Sequence, residues 1–283
     1  MTAHTGPTRR TALAAAAAGA ATLTLGTPVA TAYAATTASA DSTGPENARP
    51  TIVLVHGAFA DATSWSPVTE RLQSRGHQVI AAANPLRGLA HDAAQVAARL
   101  AVVPGPVVLV GHSYGGAAIT QAAATAPNVK ALVYIAAFMP DAGEVLGELA
   151  ARFPGSRLEP ALTPVPVPGA DGGSTGTDLY IRPDRFHDVF AQDVPRSVTA
   201  TLTAGQRPLN ATAFADRCTA AAWRTLPSWV LVSGRDRGIV PELQRFQARR
   251  AGARTSEVPA SHLPMHSRPD AVVSLIRAAA RTI

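Results

Sequence analysis

The sequence predicts an α/β fold in which a mostly parallel sheet of about six strands carries helices on both faces. Two observations support this prediction. Short apolar or β-branched runs alternate with helical patterns, and the alternation breaks once, between about residues 141 and 226, before it resumes. We therefore expect residues 141–226 to be an insertion that forms a helical cap over the carboxyl ends of the strands.

The predicted strands are apolar or β-branched runs without internal proline. The first, Thr51–Val55, is continuously apolar or β-branched, which is typical of a strand buried on both faces. Similar runs predict strands at Gln78–Ala82, Val107–Val110, Lys130–Ala136 and Trp229–Ser233, and the resumed alternation predicts a further short strand at Arg254–Val258.

The predicted helices lie between and after these strands, and prolines mark several of their ends. Ser66 is an N-cap candidate with Pro67 at the first helical position, and Pro104 and Pro127 follow two helix ends. The predicted helices are Pro67–Arg75, His91–Val102, Gly115–Thr125, Pro241–Ala251 and Pro269–Thr282.

The first forty residues indicate export. Arg9 and Arg10 precede an alanine-rich apolar run, and A-x-A cleavage patterns follow. We expect a signal peptide of the twin-arginine type at residues 1–34, a flexible leader at 35–49 and the folded domain at 50–283. An ordinary Sec signal is the alternative. The apolar run is short for a membrane span, so we expect a secreted protein without a stable membrane anchor after cleavage.

Composition and charge exclude several function classes. Cys218 is the only cysteine, which excludes an intramolecular disulfide and any multi-thiolate metal site. The net charge is +6, but the basic residues are scattered and only 5% of residues are aromatic, so we expect no nucleic-acid partner. The eight histidines are dispersed, and we expect neither a metal nor a cofactor. Monomer and homodimer both remain open.

A G-x-S-x-G motif runs from Gly111 to Gly115, between a predicted strand and a predicted helix. Its glycines permit a sharp turn that presents the Ser113 hydroxyl, and the helix directs its positive end at the site. The chain has no G-x-G-x-x-G or G-K-[ST] motif, which argues against a nucleotide-binding turn. The motif therefore predicts Ser113 as a nucleophile.

A serine nucleophile needs a base and an acid that orients the base. Asp236 and His262 follow the last two predicted strands, so they should meet at the carboxyl edge of the sheet, in the chain order serine, acid, histidine. Asp141 is a rival acid and His266 a rival base.

The loop after the first predicted strand, His56-Gly57-Ala58, is a candidate for part of an oxyanion hole. We assign the backbone N–H groups of Ala58 and Tyr114 as its two donors. We expect the flanking His56 and His112 to be structural.

From about Pro50 to its end, the chain resembles the α/β-hydrolase superfamily. The segments His56–Phe59, Gly111–Gly116, Met139–Asp141, Asp236–Arg237 and Ser261–His262, with Trp65, resemble its small-hydrolase branch of bacterial carboxylesterases, plant methyl esterases and plant hydroxynitrile lyases. The resemblance implies an α/β-hydrolase fold, a Ser113–His262–Asp236 triad, an Ala58/Tyr114 oxyanion hole and a helical cap. The lyases also use a lysine from the late-sheet or cap region, whereas the only lysine here, Lys130, opens an earlier strand.

We therefore predict a secreted serine hydrolase that cleaves carboxylic esters through an acyl-enzyme. Aromatic residues of the cap and of the early loop favour a small-molecule ester with an apolar acyl or aryl group. The candidates to line its pocket are Phe59, Trp65, Phe138, Phe153, Tyr180, Phe186, Phe190 and Trp223. Three alternatives stay open: a cofactor-free perhydrolase or haloperoxidase-like activity, hydrolysis of amides, lactones or C–C bonds, and a ligand-binding protein with little turnover.

Overall fold

The computed structural model describes residues 49–168 and 175–283. The predicted signal peptide and residues 35–48 of the predicted leader lie outside the described residues. Within the part that is described, no helix combines the length and the apolar character that a membrane crossing needs. The same residues contain no group of three or more histidine, cysteine or acidic side chains arranged to hold a metal ion.

The strands of the described residues form two sheets. In chain order they are β1 (Thr51–Val55), β2 (Val79–Ala82), β3 (Val107–His112), β4 (Val129–Ile135), β5 (Leu162–Pro168), β6 (Thr175–Ile181), β7 (Leu209–Asn210), β8 (Ser228–Ser233) and β9 (Arg254–Val258). The larger sheet has six strands in the order β2-β1-β3-β4-β8-β9, and every neighbouring pair is parallel. This confirms the predicted fold class.

Helices follow most strands of the larger sheet, as the alternation predicts. In chain order the α-helices are α1 (Ser66–Gln73), α2 (Leu89–Ala101), α3 (Tyr114–Ala122), α4 (Leu146–Ala151), α5 (Pro183–Phe190), α6 (Arg196–Ala204), α7 (Thr212–Ala215), α8 (Pro241–Arg250), α9 (Pro264–Ser267) and α10 (Pro269–Ala280).

The two faces of the larger sheet support separate apolar layers. Alternate side chains of a strand point to opposite faces, so Ile52 and Leu54 join one layer and Val53 and Val55 the other. The first layer includes buried side chains of α1 and α10, and the second includes those of α2. Each fully buried valine, leucine or isoleucine stabilises the fold by about 1.5–3 kcal/mol. These layers fix the carboxyl ends of the strands, where the predicted site lies.

The insertion between β4 and β8 contains helices, as predicted, and also a small sheet that the sequence analysis did not predict. This sheet is antiparallel, with the order β5-β6-β7. Strand β5 carries Pro164, Pro166 and Pro168, which make the segment resemble a loop in sequence. Proline lacks a backbone N–H, and it is tolerated in β5 because β5 is an edge strand.

Candidate active site

Ser113 lies at the sharp turn between β3 and α3. Its backbone has φ +54° and ψ −126°, a conformation that non-glycine residues rarely adopt. The neighbouring glycines allow close packing around the turn: a Cβ on Gly115 would lie 2.6 Å from the carbonyl oxygen of Val55. The N–H groups of Gly116 and Phe138 donate to the Ser113 carbonyl at 3.0 and 3.1 Å. Packing on both sides therefore holds the strained turn in place.

The structure brings Ser113, His262 and Asp236 into one hydrogen-bonded chain. Oγ of Ser113 is 2.8 Å from Nε2 of His262, and Nδ1 of His262 is 2.7 Å from Oδ2 of Asp236. The side chains of His262 and Asp236 are fully buried. Because an ionised Asp236 can only accept, Nδ1 of His262 carries the hydrogen and Nε2 is free to accept the serine proton.

The two rival residues lie elsewhere. Asp141 pairs with Arg224, whose hydrogen bond lowers the pKa of that carboxyl group. His266 lies on α9, and burial lowers its pKa. In the described residues, neither side chain hydrogen-bonds to Ser113 or His262.

The predicted oxyanion donors belong to two loops that meet at Ser113. A Cβ on Gly57 would lie only 2.6 Å from Cβ of Ser113, so the loop that carries Ala58 packs directly against the serine. Tyr114 is the first residue of α3, where a backbone N–H has no partner within the helix. Its hydroxyl donates to buried Asp92 at 2.7 Å and so anchors the start of α3. Burial raises the pKa of Asp92, and the sequence analysis missed this residue.

Comparison with known proteins identifies the family. Residues 52–275 match the profile of the Alpha/beta hydrolase family. The chain belongs to the alpha/beta hydrolase family. This confirms the family that the sequence motifs predict.

Several curated relatives of this alpha/beta hydrolase carry names of esterases or hydrolases. The chain is 34% identical over 107 residues to the carbendazim hydrolyzing esterase of Nocardioides sp. (strain SG-4G). The matched segment covers 33% of this chain and 44% of that protein. It is 27% identical over 258 residues to the alpha/beta hydrolase nvfD of Aspergillus novofumigatus. That match covers 82% of this chain and 97% of nvfD. The chain thus spans less than half the length of the first relative and nearly all of the second.

Solved structures show the same fold. The crystal structure of polyneuridine aldehyde esterase superimposes with a TM-score of 0.71 at 20% identity, covering 82% of this chain and 99% of that one. A pyrethroid hydrolase from Sphingobium faniae JZ-2 gives a TM-score of 0.66 at 22% identity, covering 82% and 97%. At these identities the likeness establishes the fold of the alpha/beta hydrolase and leaves its substrate to be argued from the site.

Two further buried histidines brace the site of this alpha/beta hydrolase. Nε2 of His56 accepts the N–H of Asn84 at 2.9 Å, so its Nδ1–H donates to the Gly57 carbonyl at 2.9 Å. Nε2–H of His112 donates to the carbonyl oxygen of His262 at 2.8 Å. Burial lowers the pKa of His56, and it lowers the pKa of His112 further. Both imidazoles are therefore neutral. His56 stabilises the loop that carries Gly57, and His112 stabilises the loop that carries His262.

These braces predict acid sensitivity of the alpha/beta hydrolase fold. The pKa values of both histidines lie below the ordinary 6.5 in the folded state, so the unfolded chain binds more protons as pH falls through 6.5. Each of the two histidines should lower the free energy of unfolding by up to about 1.4 kcal/mol for every pH unit below 6.5. We expect the melting temperature to fall on acidification from neutral pH, and thermal unfolding at several pH values measures this.

The matched variants for this measurement are His112→Gln and His91→Gln, since His91 is exposed. His112→Gln should flatten the dependence of melting temperature on pH, while His91→Gln should leave it unchanged. Equal slopes in both variants would contradict the assignment.

Aromatic side chains of the cap cover the imidazole. The ring of Phe190 lies 4.5 Å from that of His262, and Phe59 and Phe186 pack on Phe190 at 6.1 and 5.2 Å between centroids. Phe59, Phe186 and Phe190 also line a small cavity of about 130 Å³. This cluster shields the His262 imidazole of the alpha/beta hydrolase from solvent.

A larger cavity of about 710 Å³ is lined mainly by residues of the insertion, and it is mostly apolar. Phe138 and Phe153 line it, together with Leu158, Leu179 and Phe214. Gly238 also lines it and packs against the imidazole, since a Cβ on Gly238 would lie 3.5 Å from Nδ1 of His262. The cavity of the alpha/beta hydrolase therefore comes close to the Asp236–His262 pair at Gly238, although Ser113, His262 and Asp236 are not among its lining residues.

The structure places the other three predicted lining residues away from these two cavities. Trp65 is fully buried, with its ring edge against His112. Tyr180 pairs with Thr163 across the small sheet. Trp223 packs in the second apolar layer, and its Nε1–H donates to the Pro140 carbonyl at 2.7 Å. Trp65 and Trp223 thus fill the core of the alpha/beta hydrolase. Tyr180 instead takes part in the strand pairing of the small sheet in the insertion.

Proposed function

We propose that this alpha/beta hydrolase cleaves carboxylic esters with Ser113 as nucleophile, His262 as general base and Asp236 as the residue that orients the base. The observation that carries the proposal is the hydrogen-bonded chain from Asp236 through His262 to Ser113, with distances of 2.7 and 2.8 Å. The strained backbone of Ser113 adds support, because strain of this kind clusters at functional sites. Esterase and hydrolase names among the relatives point the same way.

The proposed reaction has two steps. Oγ of Ser113 attacks the ester carbonyl while Nε2 of His262 takes its proton, and the N–H groups of Ala58 and Tyr114 bind the oxyanion. Each such donor is worth about 3–4 kcal/mol at the transition state. His262 then protonates the leaving alcohol, and it next activates the water that releases the acid from Ser113. Asp236 stays ionised throughout and stabilises the imidazolium. The proposal requires no cofactor.

The larger cavity supports a substrate with an apolar acyl or aryl group. Its volume of about 710 Å³ accommodates a medium-sized organic group, and its lining is mostly apolar. Phe138, whose N–H donates to the Ser113 carbonyl, and Gly238, two residues after Asp236, are lining residues next to the site. The proposal therefore has the apolar half of the ester in this cavity and its carbonyl at Ser113.

The test uses p-nitrophenyl esters from acetate to palmitate with the purified protein, together with a fluorophosphonate probe. We expect hydrolysis with an optimum at intermediate acyl length and labelling at Ser113. A protein that neither hydrolyses any ester nor reacts with the probe at Ser113 would overturn the proposal. Turnover that appears only with added peroxide would instead favour the perhydrolase alternative.

We also propose that the enzyme is exported. Arg9 and Arg10 before an alanine-rich run, with A-x-A patterns after it, support this proposal. Mass spectrometry of the protein recovered from culture medium should find a new amino terminus between Ala32 and Ala40. An intact first residue in protein retained by the cells would contradict export.

A further inference from the structure

A buried glutamine of α8 contacts the acid of the triad. Nε2 of Gln244 lies 2.8 Å from Oδ2 of Asp236, the same oxygen that accepts from Nδ1 of His262. We propose that Gln244 is a positioning residue that keeps the Asp236 carboxylate ionised and directed at His262. This inference rests on the function proposed above.

The orientation of the Gln244 amide is fixed by its other partners. Its Oε1 accepts the backbone N–H of Ser233 at 2.9 Å, and its Nε2 also donates to the Ile239 carbonyl at 2.6 Å. Rotating the amide by half a turn would place Nε2 against an N–H group and Oε1 against the Asp236 carboxylate. Such a rotation loses every one of these hydrogen bonds, so Gln244 presents a donor to Asp236.

Neutral donors stabilise the Asp236 carboxylate. Oδ1 accepts from the backbone N–H groups of Gly238 and Ile239 at 2.7 and 3.1 Å, and Oδ2 accepts from Gln244 and His262. Among the described residues no arginine or lysine forms a salt bridge with Asp236. The adjacent Arg237 pairs with Asp188 instead. Because Gln244 is 1% exposed, its hydrogen bond acts in a low-dielectric environment, where it is stronger than in water.

The other titratable groups around the pair have contacts of their own that do not involve Gln244. The ring of His112 lies 4.8 Å from that of His262, and burial holds its pKa well below the ordinary value. His266 follows on α9 with a lowered pKa, Asp193 accepts the N–H of Ser261, and Arg235 flanks Asp236 in sequence. A change in the pH profile on replacing Gln244 alone therefore reports the contact with Asp236.

The same helix supplies a matched control. Gln247 lies one turn after Gln244 and is also 1% exposed. It accepts the N–H of Met139 at 2.6 Å and donates to the Ala137 carbonyl at 3.2 Å. In the part of the chain that the structure describes, its side chain does not hydrogen-bond to Asp236, so its replacement removes a comparable buried amide without touching Ser113, His262 or Asp236.

The experiment measures kcat/KM for a p-nitrophenyl ester against pH in Gln244→Leu, Gln244→Glu, Gln247→Leu and Gln247→Glu. Loss of a donor makes the ionised carboxylate less stable, so the Asp236–His262 pair takes up its proton at higher pH. The acid limb is the part of the pH profile in which kcat/KM falls as the pH is lowered. We expect Gln244→Leu to move this acid limb to higher pH and to lower kcat/KM at neutral pH by about 10- to 100-fold. Gln244→Glu should move the limb further, because a second carboxylate favours the protonated pair. Both Gln247 variants should keep the wild-type acid limb.

The rate of fluorophosphonate labelling of Ser113 against pH gives a second readout that does not depend on the ester chosen. Circular dichroism identifies variants that fail to fold. If Gln244→Leu fails, Gln244→Met, which keeps the shape and loses the donor, replaces it. Equal acid limbs in folded Gln244 and Gln247 variants would overturn the inference. Wild-type protein that neither turns over esters nor reacts with the probe would instead overturn the proposed function.

Discussion

Replacing Ser113 with alanine is expected to lower kcat for ester hydrolysis by about 10⁴- to 10⁶-fold, because the proposed nucleophile and its hydrogen bond to His262 are both lost. The fold should survive, since alanine adopts the strained backbone at 113 as readily as serine, and the Gly116 and Phe138 donors to the 113 carbonyl remain. Steady-state kinetics with a p-nitrophenyl ester measure the loss, and thermal unfolding checks the fold.

Ser74→Ala is the control for this substitution. Ser74 is exposed just after the end of α1, where its hydroxyl donates to the Arg71 carbonyl at 3.0 Å. We expect it to keep wild-type kinetics and labelling by fluorophosphonate, whereas Ser113→Ala should lose the label. A folded Ser113→Ala protein that retained near wild-type turnover would show that another residue attacks the ester.

Asp236→Asn is expected to lower kcat by about 10³- to 10⁴-fold while leaving KM nearly unchanged. The N–H groups of Gly238 and Ile239 both point at Oδ1, so the carbonyl oxygen of the new amide will take that place. Its NH₂ group then faces Nδ1 of His262. The imidazole must accept at Nδ1 and carry its hydrogen on Nε2, and it can no longer take the proton of Ser113.

Asp141→Asn serves as the comparison, because it also replaces an aspartate carboxylate with an amide, in this case at the rival acid. Asp141 bonds to Arg224, which is exposed, so its loss should change kcat less than twofold. The two variants are measured side by side with the same ester. A larger loss in Asp141→Asn than in Asp236→Asn would reassign the acid.

Local patterns in the sequence were sufficient to predict the larger sheet and the order of the candidate site residues. Parallel strands buried on both faces leave continuous apolar runs such as Thr51–Val55, and those runs show directly in the sequence. Ser113 and Asp236 each follow such a run, and His262 follows the polar edge strand β9, so the carboxyl edge of the sheet brings the three near one another.

Other features depend on contacts between distant segments, and local patterns do not reveal them. Gln244 resembles any polar helix residue until the burial of its helix face is known, although buried Leu243 and Ala248 flank it on that face. The local sequence does not reveal the role of Asp92 either, because only the fold brings its carboxylate to the hydroxyl of Tyr114. The sequence does not separate the aromatic residues for the same reason: Phe190 covers the imidazole of His262, whereas Trp223 fills the core.

The prolines of β5 have a consequence for how the protein behaves at high concentration. Residues two apart in a strand direct their N–H positions to the same side, so the nitrogens of Pro164, Pro166 and Pro168 share one edge. The ladder with β6 needs donors on the other side, which leaves the proline edge as the open one. A strand from a second molecule finds no donors there, so the cap sheet resists edge-to-edge aggregation.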